Sequence, residues 1–168
     1  FLLWAFDGEQ PELEGVTHQL DPQSGEDEHV AAIFGFGSGG IGILECSLRH
    51  PSPRDAIICG TTGVIRVPFP FWCPTTFSVQ TMTGLGSQTW SDEEFRNIPL
   101  PAIGSKNDFN FVHSAGLAYE IAAVHQSLLN GHTQTSAFSH DECIKVMQMV
   151  SDIRVAIAQR SIPSARKP

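Results

Sequence analysis

Two stretches of this chain hold residues whose types and spacing could do chemistry. The first is Gly35-Phe-Gly-Ser-Gly-Gly40, a G-x-G-x-x-G run that follows an apolar segment. Asp55 stands about 20 residues beyond its first glycine, where a dinucleotide site places an acidic residue. In such a site the glycines let the backbone approach a pyrophosphate, and the following helix turns its N-terminus toward the charge. The residues after Gly40 do not read as a helix. Gly40 to Leu48 is interrupted by glycine, alternates Leu44, Cys46 and Leu48, and ends at Arg49-His50-Pro51. The run is predicted to be a hairpin loop, and no cofactor-binding residue is assigned in this chain.

The second stretch is Arg54 to Pro74, RDAIICGTTGVIRVPFPFWCP. Asp55 to Cys59 and Val64 to Val67 read as two strands, and Gly60-Thr-Thr-Gly63 as the turn between them, with a glycine at each end free to take positive φ. Pro68, Pro70 and Pro74 then fix the backbone around Phe69, Phe71 and Trp72. Large aromatics on a stiff loop lose little entropy on meeting a ligand or partner. The same rings could equally plug the edge of a core. Both readings stand on sequence alone.

Other reactive residues are scattered. The seven histidines (18, 29, 50, 113, 125, 132, 140) include no pair at i, i+4, so no metal site is expected. His125 lies in an apolar helical pattern and is expected to be a partly buried structural histidine. No serine, cysteine or carboxylate is placed for nucleophilic work, and no catalytic residue is assigned. Cys46, Cys59, Cys73 and Cys143 form no close pair, which fits reduced, mostly buried thiols better than a disulfide or zinc framework.

The elements that must position these residues follow from periodicity. Phe1 to Phe6 is uniformly apolar and reads as the end of a buried helix whose beginning is missing, hence a fragment. Leu13, Val16 and Leu20 mark a strand, and an acidic turn-rich loop runs from Asp21 to Glu28. His29–Phe34 and Ile41–Leu48 are predicted as antiparallel neighbours. Thr76–Met82, with Phe77 and Val79 alternating with polar residues, pairs with Gln88–Ile98 across Gly84 and Gly86. Leu117, Ile121, Val124 and Leu128 form one helical face capped by Asn130-Gly131. Ser139-His-Asp-Glu142 is a capping box for a last helix, with Cys143, Val146 or Met147, Val150, Ile153 and Ile157 on a stripe; Met147 and Met149 are expected to pack. Residues 161–168 read as a frayed tail.

The predicted class is α+β: a largely antiparallel, open-faced sheet with two or three helices on one face. The chain's 168 residues suit one core, taken as a domain over 1–160. A net charge of −8 argues against nucleic acid or an anionic membrane surface as partner. No apolar run approaches a membrane span, and a cytoplasmic location is expected.

The Ile57-Ile-Cys-Gly-Thr-Thr-Gly63 hairpin followed by Trp72-Cys-Pro-Thr75 resembles the C-terminal domain of the glucose–fructose oxidoreductase/inositol dehydrogenase/MocA family, over about Gly39 to Gln159. Within it the resemblance is to a branch of NADP-dependent dehydrogenases acting on trans-dihydrodiols and D-xylose. The resemblance implies an upstream Rossmann domain, absent here, that holds NADP and carries the catalytic lysine. It implies that the open sheet face joins a homodimer. Trp72 matches a tryptophan lining the substrate cleft, and Phe111, placed by the Ser114-Ala-Gly-x-x-Tyr-Glu120 run, a nearby phenylalanine. His113 has no obvious counterpart, and its role is open. The chain alone is then expected to be inactive and not to bind NADP. The rival expectation is a non-catalytic binding or scaffold module with the same sheet.

Overall fold

Antiparallel hairpins account for every strand pairing in the computed structural model, which describes residues 1–82, 89–104 and 108–161. The chain divides into two compact units: residues 1–52 with 136–168, and residues 53–135.

The first unit opens with a short helix α1 (Leu2–Ala5) and a three-stranded sheet of β1 (Glu12–Leu20), β2 (Asp27–Gly35) and β3 (Ile41–Ser47), in that order. Gly35 to Gly40 is a hairpin loop, as read from the sequence: Gly35 pairs with Ile41 across β2 and β3, and the Phe36 amide donates to the Gly40 carbonyl at 2.9 Å. Val30, Ala32 and Phe34 alternate onto the inner face of β2 and are buried with Val16 and Leu3. Helix α3 (His140–Ser161) covers this face with Met149 and Ile153. Two side chains fasten it: Lys145 donates to the Gly8 carbonyl at 2.5 Å, and Arg160 to that of Val16.

The α3 stripe is rotated from the one expected. Val146, Met149, Ile153, Ala156 and Ile157 face the core, whereas Met147 is 59% exposed and Cys143 and Val150 are also in the open. Both stripes fit a 3.6-residue period, so only the sheet decides which is covered. The capping box forms as expected, with the Ser139 amide donating to Glu142 at 2.7 Å and the Glu142 amide to the Ser139 hydroxyl at 3.2 Å. On the opposite side of the sheet Ile33, Ile41 and Ile43 are exposed, the last two at 71%. This sheet has one covered and one open face.

The second unit is a meander of β4 (Ala56–Cys59), β5 (Gly63–Val67), β6 (Thr76–Thr81) and β7 (Glu94–Asn97), followed by a 3-10 turn (Ser114–Gly116) and helix α2 (Leu117–Leu129). The β4–β5 turn corrects one expectation, because neither Gly60 nor Gly63 has positive φ. Gly63 serves close approach instead: a Cβ there would stand 2.5 Å from the Gln80 carbonyl oxygen on β6. In β6 the residue most buried is Ser78, not Phe77 or Val79, and its hydroxyl donates to Glu93 at 2.5 Å. A buried hydroxyl with a partner is tolerated where a bare one is not.

Helix α2 ends in a Schellman motif. Gly131 has φ +76°, His132 donates to the Ser127 carbonyl at 2.9 Å, and Gly131 to that of Leu128 at 3.0 Å. Its apolar stripe of Leu117, Ile121, Val124 and Leu128 is nevertheless exposed, and α2 has no buried residue. His125 is exposed too, not partly buried, like its neighbours Val124 and Gln126 on the same helix. The thiols differ from expectation as well: Cys46, Cys59 and Cys143 are exposed and Cys73 half-buried, all four free.

The α+β class with antiparallel strands is thus what the chain adopts, the strands falling into two sheets. The Gly84–Gly86 turn lies outside the described residues, as does the tail from 161 onward, apart from the backbone of Ser161 at the end of α3.

Candidate functional site

The aromatic arm leaves β5 at buried Val67. Pro70 is wholly buried beneath it and follows a cis peptide bond from Phe69. The Cys73 amide donates to the Pro70 carbonyl at 3.0 Å, so the chain turns back over residues 70–73 and lifts Trp72 outward. The Phe71 amide donates to the Arg54 carbonyl at 3.3 Å, which ties the arm to the segment before β4.

Three rings meet on this turn. Phe69 and Trp72 pack edge to face at 5.6 Å between centroids, and Phe71 and Trp72 at 5.8 Å. The Arg54 guanidinium carbon sits 4.3 Å from the centre of the Phe69 ring, a cation–π contact. Trp72 remains 56% exposed despite its neighbours. Pro70 fills the core position beneath the arm, and the indole above it is packed on one side by Phe69 and Phe71 while more than half of it stays exposed.

A second segment is pinned to the arm. His113 Nδ1 lies 2.8 Å from the Cys73 carbonyl, and the Cys73 thiol donates to the His113 carbonyl at 3.4 Å. A carbonyl can only accept, so Nδ1 carries the hydrogen and Nε2 of a neutral ring faces away as an acceptor. His113 holds φ +61°, and Gly116, three residues on, packs on the Cys73 sulfur with no room for a side chain. The Ser114 hydroxyl donates to the Phe111 carbonyl at 2.9 Å and closes the turn that carries Phe111. Phe111 is 80% exposed. Trp72 and Phe111 thus stand on two segments locked together through Cys73 and His113, without their rings stacking on each other.

Sequence reading missed Arg54 and the part played by His113. Arg54 is separated from Phe69 by a whole hairpin, and no pattern announces their contact. The positive φ at His113 has a weak signal, since histidine is among the residues that tolerate it.

Carboxylates at three turns are held below their ordinary ranges. Glu142 is lowered by the Ser139 amide and then its hydroxyl, Glu9 by Ser38, and Asp21 by Ser24. These are capping and turn groups with no reactive partner beside them. Elsewhere, the first unit brings His29, Glu45 and His50 together, three donors that their positions in the chain had not suggested could hold a metal. The glycine run is followed by the β3 strand and not by a helix N-terminus.

Comparison with known proteins agrees with the resemblance read from the arm. Residues 1–66 match the GFO/IDH/MocA C-terminal domain. A trans-1,2-dihydrobenzene-1,2-diol dehydrogenase from Danio rerio is 29% identical over 155 residues, covering 92% of this chain and 42% of that protein. The Xenopus laevis protein of the same name is 29% identical over 142 residues, 83% of this chain and 38% of its own length. The Homo sapiens one is 26% identical over 157 residues, 94% and 42% respectively. The chain therefore spans about two fifths of the length of these relatives. The chain is thus similar to the GFO/IDH/MocA C-terminal domain over residues 1–66, and over most of its length to the trans-1,2-dihydrobenzene-1,2-diol dehydrogenases.

Proposed function

We propose that this chain is the substrate-covering and dimerising part of an NADP-dependent oxidoreductase that moves hydride between nicotinamide and a trans-dihydrodiol or an aldose such as D-xylose. The observation that carries this reading is the exposed but anchored Trp72, held by Phe69, Phe71, Pro70 and the Cys73–His113 pair. A cyclic diol or pyranose has an apolar face of C–H bonds suited to such a ring, and a pre-placed ring costs little ordering on binding. Phe111 on the adjoining locked turn extends the same wall.

In this reading the nicotinamide nucleotide belongs to a separate Rossmann domain, which also supplies the reacting groups. Support comes from the hairpin at Gly35–Gly40, which a strand and not a helix N-terminus follows, and from relatives more than twice as long as this chain. The open sheet face with Ile33, Ile41 and Ile43 joins two copies, since an uncovered apolar face is an association site. Four free thiols fit a reducing, cytoplasmic compartment, and among the described residues no helix is long and apolar enough to cross a membrane.

The test is steady-state oxidation of trans-dihydrodiols and D-xylose by the full-length protein, with NADP and with NAD. NADP-dependent turnover of either class supports the reading. Binding of these compounds without turnover by either nucleotide would instead leave a non-catalytic binding module.

A further inference from the structure

The outer face of the three-stranded sheet carries a group of side chains that substrate covering does not use. His29 opens the outward row of β2 and pairs across the sheet with Ser47 on β3; Glu45 lies two residues before Ser47 on the same face. His29 Nε2 and a Glu45 carboxylate oxygen are 3.1 Å apart. His50 returns to this face because the Ser47 hydroxyl accepts from the Arg49 and His50 amides, at 3.2 and 3.3 Å, and folds the chain back at the end of β3. The His50 ring stands edge-on to that of His29, centroids 4.7 Å apart. One donor atom from each of the three residues falls within 4.8 Å of the others. The neighbouring cation, Arg49, is engaged by Glu28 at 3.1 Å.

We propose that His29, Glu45 and His50 form a three-ligand site for a borderline divalent metal ion of the zinc class, independent of the oxidoreductase reading. Tetrahedral bonds of about 2.0–2.1 Å place ligand atoms about 3.3 Å apart, close to the His29–Glu45 separation. His50 is exposed, and its ring nitrogen, now within 4.8 Å of the other two donors, would close to that spacing on a side-chain rotation. Two imidazoles and a carboxylate suit zinc, cobalt, nickel or copper; magnesium and calcium prefer oxygen ligands throughout. The site takes one such ion through Nε2 of His29, a Glu45 oxygen and a ring nitrogen of His50, with a fourth position open to water. The hydrogen on His29 Nε2 moves to Nδ1, or leaves if the ring was charged. The cluster lies at the end of the sheet away from Ile41, so copies paired through the isoleucines leave it at their rim.

The experiment is a titration of the EDTA-stripped full-length protein with Zn²⁺ against a chromogenic chelator, and with Co²⁺ followed by visible absorption. One zinc equivalent should bind, and Co²⁺ should give the strong visible bands of a tetrahedral nitrogen–oxygen site. His29→Ala and His50→Ala should each abolish that equivalent, and Glu45→Gln should weaken it about tenfold or more. Cys143→Ala and His132→Ala should leave it intact. All three ligands are partly or fully exposed, so far-ultraviolet circular dichroism should show the variants folded. The proposal is overturned if His50→Ala titrates like the parent protein, or if the Co²⁺ complex shows sulfur-to-metal charge transfer, which would put the ion on an exposed cysteine.

Discussion

Cys73 and His113, 40 residues apart, exchange two hydrogen bonds, imidazole to carbonyl at 2.8 Å and thiol to carbonyl at 3.4 Å. This pair clamps the turn that carries Trp72 to the turn that carries Phe111. Removing the ring should loosen both. His113→Ala should cost about 1 kcal/mol of stability, the worth of a partly buried hydrogen bond, measured by urea unfolding. His113→Asn should recover part of it, because asparagine tolerates the same positive φ and its amide can still donate. An alanine variant as stable as the parent would show that the clamp holds nothing.

If Trp72 and Phe111 line the substrate site as proposed, Trp72→Ala and Phe111→Ala in the full-length protein should raise KM for a diol or sugar with little change in kcat, because rings that bind without reacting act on KM. The loss in kcat/KM should be on the order of 1–3 kcal/mol if substrate buries the ring. Melting temperatures should move little for Phe111, which is largely exposed. Steady-state kinetics beside melting curves separate the outcomes: unchanged kinetics with a much lower melting temperature would return both rings to a structural role.

The two glycines of the β4–β5 turn should respond differently to alanine. At Gly63 the new methyl would stand 2.5 Å from the Gln80 carbonyl oxygen, and backbone cannot step aside cheaply. Gly63→Ala should therefore destabilise by about 1–3 kcal/mol, the usual range for overpacking. At Gly60 the nearest atom is 3.7 Å away and φ is not positive, so Gly60→Ala should be neutral or slightly stabilising. Chemical denaturation of the two variants side by side tests the contrast.

Helix α3 should lose its N-terminal support in acid. The Ser139 amide and hydroxyl hold the Glu142 carboxyl below the ordinary glutamate range. A carboxylate whose folded pKa is depressed adds stability above its unfolded value, and that contribution disappears as pH falls through the folded one. The stability difference between the parent and Glu142→Gln should be present at neutral pH and shrink on acidification below about pH 4.3. Paired unfolding curves across that range are the check, and a difference constant with pH would place the effect outside the carboxylate.

Ile43→Lys should separate the two copies of the proposed dimer. Ile43 pairs with Ile33 on the open face and touches none of the inner core, so a charge there should spare the fold and oppose association. Light scattering of the full-length parent and variant reads the outcome; a parent that is monomeric at micromolar concentration would sink the dimer itself.

Local signals in the chain were sufficient for the elements themselves. The capping box at Ser139–Glu142, the Asn130-Gly131 cap and the glycine-interrupted β3 each depend on neighbours within a few residues, where backbone preference and hydrogen bonding are written directly into residue type. The same reasoning removed the Gly35–Gly40 run from contention, because a strand period after it is incompatible with a helix N-terminus. The proline spacing around Phe69, Phe71 and Trp72 announced a rigid arm, though not whether its rings would be covered.

Only the tertiary structure decided which surfaces meet. Two stripes on α3 satisfy one helical period, and the sheet selected Met149 over Met147 by contact alone. The α2 stripe is as apolar as a core face yet stays open, since periodicity states that a face could be buried and not that a partner exists within this chain. Ser78 went inside because Glu93, on the following segment, was there to accept its hydrogen. His113 found Cys73 across 40 residues, and His29, Glu45 and His50 came together through strand register and a turn. Such long-range pairings are fixed by the closing of the whole fold, where the entropy of each loop is offset by contacts that no short window of residues contains.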